Sequence, residues 1–366
     1  MRISERKIVQ PRAIRLEAST VCQLRCPSCP TASGEVGQTL GSGFLKFSDF
    51  KKIIDDNPWV SEIELSNWGE IFLNKEVVQI IRYAYERNVA LDAFNGANLN
   101  NVSEETLEAL IKYCVRNVTC SIDGASPQTY SQYRRNGDFQ KVMDNIKIIN
   151  KFKRAYSSQY PLLTWQFVIF GHNEQEVGQA RAMAKELDMN FSAKLSWEDL
   201  YLESFSPISD PELVGKETGL GVATREEYWH KYGHLYAVEG CCLGLWNQPQ
   251  INYDGRLLGC AVNYWGDYGN VFQEGLTACL NNERINYVRD MLMGRHPTAE
   301  GTPCLRCKVY KKRKENNYWV KSEDIKGCYA TENTNIMSVN KTLEGSFDKA
   351  RAFITQVAEE ITKRWF

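Results

Sequence analysis

The sequence predicts an α/β protein: a partial barrel of six βα units, then a small cysteine-rich domain and a C-terminal helix. Three observations carry that expectation. From Ala13 to Leu195 apolar, strand-like runs alternate with segments of helical period, the mark of repeated βα units and a parallel sheet. After Ser196 the alternation stops. The cysteines gather towards the two ends of the chain, with only Cys114 and Cys120 between them. At 366 residues the chain also exceeds the roughly 250–300 at which one hydrophobic core stops growing, so a large domain and a smaller one are expected. The expected divisions are 1–196 for the barrel, 197–240 for a connector or substrate-facing insertion, 241–327 for the cysteine-rich domain and 328–366 for a link and an amphipathic helix.

The strands are expected at Ala13–Ala18, Ser61–Leu65, Ala90–Phe94, Asn117–Ile122, Leu163–Phe170 and Asn190–Leu195. Between them, Phe47–Asp55, Lys75–Arg87, Ser103–Tyr113, Phe139–Phe152 and Glu174–Leu187 repeat apolar residues at three- and four-residue steps, as helices with one face on a sheet do. Ser103, followed by Glu104 and Glu105, has the chemistry of a helix N-cap with an acidic first turn. The stretch to Gly240 carries Pro207, Pro211 and many aromatics, among them Trp197, Tyr201, Phe205, Tyr228, Trp229, Tyr232 and Tyr236, which either line a cleft or pack in the core. Beyond Cys241 come short runs and turns, with Asp254-Gly255 as a hairpin signal. In the final segment Phe347, Ala350, Ile354, Val357, Ile361 and Trp365 share one helical face.

The composition, 43% hydrophobic and 24% charged, excludes disordered, collagen-like and coiled-coil classes. With 44 Lys plus Arg against 45 Asp plus Glu, nothing global draws the chain to nucleic acid or an anionic membrane. The charged start, Met1 to Gln10, lacks the apolar stretch of about 7–15 residues that a signal peptide needs, and no run of about 18 apolar residues occurs. The expectation is a cytoplasmic protein. There the 12 cysteines should be reduced thiols, for which metal is a better explanation than a disulfide framework.

Cys22-Gln-Leu-Arg-Cys26-Pro-Ser-Cys29 follows the first strand, at the edge where α/β folds place their active sites. Three thiolates in eight residues can hold three irons of a [4Fe–4S] cluster, and no fourth Cys lies nearby, so one iron is left to bind something else. A zinc site lacking its fourth ligand and buried free thiols are the plainer alternatives. This C-x3-C-x2-C run resembles the signature of the radical S-adenosylmethionine (SAM) superfamily, and the resemblance continues from Ala13 to Leu195. It implies a partial (β/α)6 radical SAM barrel whose open iron chelates the amino and carboxylate groups of SAM. Reductive cleavage then gives a 5′-deoxyadenosyl radical that abstracts hydrogen from an unactivated carbon, with the electron coming from a flavodoxin- or ferredoxin-type donor. Ser28 departs from the large residue common before the third Cys.

Two further segments extend the resemblance. Ser66-Asn67-Trp68-Gly69-Glu70 resembles the family's Gly-Gly-Glu segment, with Trp68 where a first Gly is common; a Gly permits close backbone approach and a carboxylate can accept bonds from an ammonium group, so Trp68, Gly69 and Glu70 are implied to bind SAM, with Glu70 at its amino group. Cys120-Ser121-Ile122-Asp123-Gly124, with Tyr133-Arg134-Arg135 after it, resembles the fourth-strand region of members with a SPASM-type C-terminal extension. By that resemblance Ser121 and Asp123 point towards the SAM ribose or the substrate, and Arg134 pairs with a carboxylate.

In the last third Cys242 and Cys260 flank a hairpin, and Cys304-Leu-Arg-Cys307 adds a two-spaced pair. By spacing alone a four-Cys zinc ribbon and an iron–sulfur site are both open. The order Cys242, Cys260, Cys304, Cys307 also resembles the shorter SPASM domain, which implies one auxiliary [4Fe–4S] cluster; Cys242 fits that spacing better than Cys241. Four filled sites would give this cluster a part in electron transfer or in holding the site together. Cys114, Cys120 and Cys279 read as packed thiols; Cys328 stays open, since some SPASM domains recruit further cysteines for a second auxiliary cluster, but the full complement for two is not visible and one is expected. His230 and His234 read as packed or solvated, and Lys311 to Lys314 as a solvated face.

The resemblance thus implies a radical SAM oxidoreductase or radical-modifying enzyme. SPASM relatives modify peptides and proteins, by crosslinking or epimerisation, or act on sugars and cyclitols. Only residues 1–12 precede the first strand, where many peptide-modifying relatives carry an extra domain. A peptide or protein substrate is still favoured, with a sugar, cyclitol or other small molecule as the alternative. An iron–sulfur electron carrier is the non-enzyme rival, disfavoured because a carrier has no use for an open iron.

Overall fold

A computed structural model describes residues 7–196, 205–236 and 239–330. The expected C-terminal helix, Trp197 and Tyr201 lie outside those residues. Six strands follow the predicted order: β1 (Ala13–Leu16), β2 (Glu62–Glu64), β3 (Ala90–Ala97), β4 (Asn117–Ser121), β5 (Leu162–Ile169) and β6 (Asn190–Leu195). Each pairs in parallel with its neighbour in sequence, giving the expected partial α/β barrel. The sheet then gains a strand that no periodicity announced. β7 (Gln250–Ile251) lies parallel to β1, with Arg15 opposite Gln250, so the order is β6-β5-β4-β3-β2-β1-β7.

The helices are α1 (Glu35–Leu40), α2 (Phe47–Asp56), α3 (Val77–Glu86), α4 (Glu104–Lys112), α5 (Pro127–Tyr133), α6 (Phe139–Ala155) and α7 (Val177–Glu186). Their buried faces repeat at three and four residues, as at Phe50, Ile53 and Ile54 in α2 and Val142, Ile146 and Ile149 in α6. Ser103 caps α4, its hydroxyl accepting from the Thr106 amide. α1 and α5 were not expected; both are short, α1 burying Val36 and Leu40 within six residues, and α5 starts on the Ser126 cap and Pro127.

The cysteine-rich segment packs directly on the core of the sheet. Ile14, Ile63, Val118 and Trp165 of the sheet belong to the same buried cluster as Trp246, Leu257, Val288 and Val309 beyond the connector. β7 is the physical reason, since it carries the sheet's hydrogen bonding past β1: the Arg15 amide donates to Pro249 O at 3.0 Å and the Glu17 amide to Ile251 O at 2.9 Å. The Asp254-Gly255 turn forms, Gly255 having φ +91°, and Ile251 and Leu257 pair antiparallel across it. A bridge between Val9 and Tyr329 closes the fold, and Cys328 packs beside it in the core. Among the described residues no helix is long and apolar enough to cross a membrane.

Candidate functional site

A cavity of about 670 Å³ opens at the C-terminal edge of the sheet, lined by Cys22, Cys26 and Cys29 from the loop after β1 and by the segment after β2. Alternate residues of the strands supply its other walls: Arg15, Ser121, Gln166, Val168 and Lys194. Of the residues expected at the SAM site, Trp68, Gly69, Glu70, Ser121 and Arg134 all reach this cavity.

Gly69 sits where no side chain fits. A Cβ there would stand 2.2 Å from Ser19 O and 2.8 Å from the Val21 amide, so glycine lets this segment lie directly on the loop leading to Cys22. Glu17 pins the same segment from below, accepting from the amides of Trp68 at 3.0 Å and Gly69 at 3.3 Å. Burial pushes the Glu17 carboxyl up to about 8. Glu70 is 2% exposed and accepts from the amides of Phe72 at 3.1 Å and Asn98 at 2.7 Å. Burial raises its pKa to about 7, with those two amides and Arg134 opposing the rise. Asn98 in turn donates from Nδ2 to Cys22 Sγ at 3.7 Å. Glu17 and Asn98 escaped prediction, because a lone polar residue has no motif; the one signal is the charge of Glu17 inside the predicted strand Ala13–Ala18.

Asp123 departs from its expected place. It is fully buried, off the cavity wall, with its carboxylate accepting from the Val168 amide at 2.8 Å and from Arg134 Nε at 2.6 Å. It therefore fixes Arg134 rather than facing the cavity. Three N–H groups of Arg134 are engaged, by Asp123 through Nε and Nη2 and by Cys26 Sγ at 3.7 Å from Nη1, which leaves part of its five-donor fork towards the cavity.

Two of the three sulfurs, those of Cys22 and Cys26, are left as thiols by the protein alone. Burial, then the nearby Glu70 carboxylate, pushes Cys22 up to about 12; burial pushes Cys26 up to about 11, with Arg134 opposing. Buried thiols that repel one another when ionised suit a cationic metal centre, which deprotonates its ligands outright. Among the described residues no three Cys, His, Asp or Glu side chains converge on one ion position, as a zinc site would require. The ligands of an iron–sulfur cluster bind different irons and stand further apart. The donor set and the close approach at Gly69 therefore fit a [4Fe–4S] cluster with SAM beside it.

The second group behaves alike. Cys242, Cys260, Cys304 and Cys307 come near enough for one another that Cys304 is raised by the other three, after burial. Burial lifts Cys242 and Cys260 to about 12, and Arg313 opposes the rise at Cys242. Arg313 is buried and donates to Tyr318 O at 3.1 Å, so the expected solvated face at Lys311 to Lys314 turns one of its cations inward. Cys241 differs from its neighbour: it lines the cavity, whereas Cys242 is buried behind it. His230 lies 3.8 Å from Glu226 and His234 lies against Tyr228, so the two do not share a site.

Comparison with known proteins agrees with this geometry. Residues 16–181 match the model of the radical SAM superfamily. The AdoMet-dependent heme synthase of Methanosarcina barkeri is 27% identical over 180 residues, 48% of this chain and 48% of that protein. The GTP 3',8-cyclase of Desulforamulus reducens is 24% identical over 179 residues, 48% of this chain and 53% of that protein. The chain thus spans about half the length of the curated relatives it matches. In fold it is similar to Streptococcus suis SuiB in the crystal structure with the precursor peptide SuiA, at a TM-score of 0.60 and 14% identity over 87% of this chain and 77% of that one. Motif, cavity and family match coincide in one place: residues 16–181 of this chain, which carry the three cysteines, match the radical SAM superfamily.

Proposed function

We propose that Cys22, Cys26 and Cys29 hold a [4Fe–4S] cluster with one open iron, and that the chain uses SAM bound there to take hydrogen from an unactivated carbon of a peptide or protein residue. When bound, SAM and the reduced cluster supply a 5′-deoxyadenosyl radical, and the protein's part is orientation and the exclusion of water. Glu70 accepts from the amino group, Arg134 presents its remaining donors to the carboxylate, and Ser121 meets the ribose or the substrate. Cys242, Cys260, Cys304 and Cys307 hold a second cluster in a SPASM-type arrangement, and a flavodoxin- or ferredoxin-type protein delivers the electron. The observation that carries this reading is the meeting of the three cysteines, Gly69, Glu70, Ser121 and Arg134 around one cavity. A small-molecule substrate is the second reading, favoured by a cavity of about 670 Å³, the size that takes a compact ligand. Anaerobically reconstituted, reduced protein given SAM should release 5′-deoxyadenosine and methionine. Brown, fully loaded protein that releases neither would sink the proposal.

A further inference from the structure

Three cations line the cavity, and their surroundings differ. Arg134 is paired with Asp123 at 2.6 Å. Arg15 donates to Gln250 Oε1 at 3.1 Å and lies close enough to Glu17 and Glu64 to draw both their carboxyl pKa values down against burial. Lys194 has no such company: its Nζ donates to Gln166 Oε1 at 2.6 Å, a neutral acceptor, and among the described residues no carboxylate lies within ion-pair distance.

An ammonium drawn into a cavity wall loses hydration that one amide oxygen only partly restores, so the arrangement costs free energy in the absence of an anion. Burial accordingly lowers the Lys194 pKa. The cost is held in place, because Gln166 is itself buried on β5 and fixes the ammonium where its two other N–H donors remain available. Lys194 also stands on β6, whereas the groups assigned to SAM come from the loops and strands of β1, β2 and β4.

We propose that Lys194, positioned by Gln166, is an anchor for an anionic group, a carboxylate or a phosphate, carried by the substrate that enters this cavity. The proposal rests on the reading that substrate meets SAM here, and it deepens that reading by naming the substrate's chemistry. Fixing one end of the substrate at β6 decides which of its carbons faces the loop after β1. The shared chemistry has two sources, an acidic residue of a peptide or a free organic acid or phosphate.

The test uses the whole reconstituted chain and does not require SAM cleavage. Succinate, inorganic phosphate and N-acetylglutamate amide are titrated by calorimetry against wild type, Lys194→Met, Lys194→Arg and Gln166→Glu. At least one anion should bind wild type saturably, and the probe that binds best identifies the source. Lys194→Met should weaken it about tenfold or more, the loss of one charge-assisted hydrogen bond, while Lys194→Arg retains it. Gln166→Glu supplies the missing carboxylate internally and should abolish binding without removing the lysine. Absence of saturable binding to wild type, or equal affinity in Lys194→Met, would overturn the proposal. Anion binding that depends on Lys194 in a chain that forms no 5′-deoxyadenosine would instead overturn the functional reading and leave the anion site standing.

Discussion

Glu17 is the residue through which the first strand, the motif after β2 and β7 meet. It is 1% exposed and accepts from Trp68, Gly69 and, at 3.3 Å, from Gln250 Nε2. Its pKa of about 8 in the folded chain, against the ordinary 4.5, means that the folded protein holds a proton that the unfolded chain releases. Its contribution to stability is therefore full below the ordinary value and lost as pH rises through 8. Wild-type melting temperature should fall between pH 5 and pH 8.5 relative to Glu17→Gln, and parallel curves for the two proteins would refute this. Arg134 and Asp123 make the complementary case. Arg134→Met leaves a fully buried carboxylate without its cation and should cost about 3–5 kcal/mol in urea unfolding, part of which the double variant with Asp123→Asn recovers. Of this residue-scale chemistry, the cysteines and Glu70 were legible because they sit in spaced motifs. Glu17, Asn98 and Lys194 were not, since each acquires its meaning only from a partner distant in sequence.

At the scale of elements, what the sequence made plain was what repeats. The helices carry their apolar stripes, Ser103 caps α4, and Asp254-Gly255 turns the chain. β7 was illegible because two residues show no alternation, and its place is set by pairing with β1 rather than by local propensity. Gln250 makes that pairing specific, accepting from Arg15 Nε and donating to Glu17 from a site 1% exposed. Gln250→Leu should leave Arg15 and the Glu17 carboxyl without their amide partner and cost about 1–3 kcal/mol. In hydrogen exchange the amides of Arg15 and Glu17, which bond across to Pro249 and Ile251, should lose protection while those of β4 keep theirs. Uniform loss across the sheet would show that β7 is not the local fastening described.

For the whole molecule, the shared core changes what the second cysteine group means. Sequence spacing presents it as a domain of its own, yet its apolar residues and those of the barrel form one buried cluster, and Cys242 itself belongs to that cluster. A metal centre bound there by the folded chain stabilises everything in that cooperative unit, because binding to the native state alone shifts the folding equilibrium. Cys242→Ser should therefore lose about four irons of the total, as one cluster's worth, and lower the melting temperature of the barrel along with its own segment in a single transition. Cys241→Ser should keep the iron, since Cys241 faces the cavity from in front of the buried group. Changing Cys22, Cys26 and Cys29 together to Ala should give the reverse pattern, retaining the second cluster while abolishing 5′-deoxyadenosine release. Two separate calorimetric transitions in Cys242→Ser, with the barrel's unmoved, would show that the continuous core does not couple the two ends of the chain; iron lost from Cys241→Ser instead would show that the wrong neighbour had been assigned.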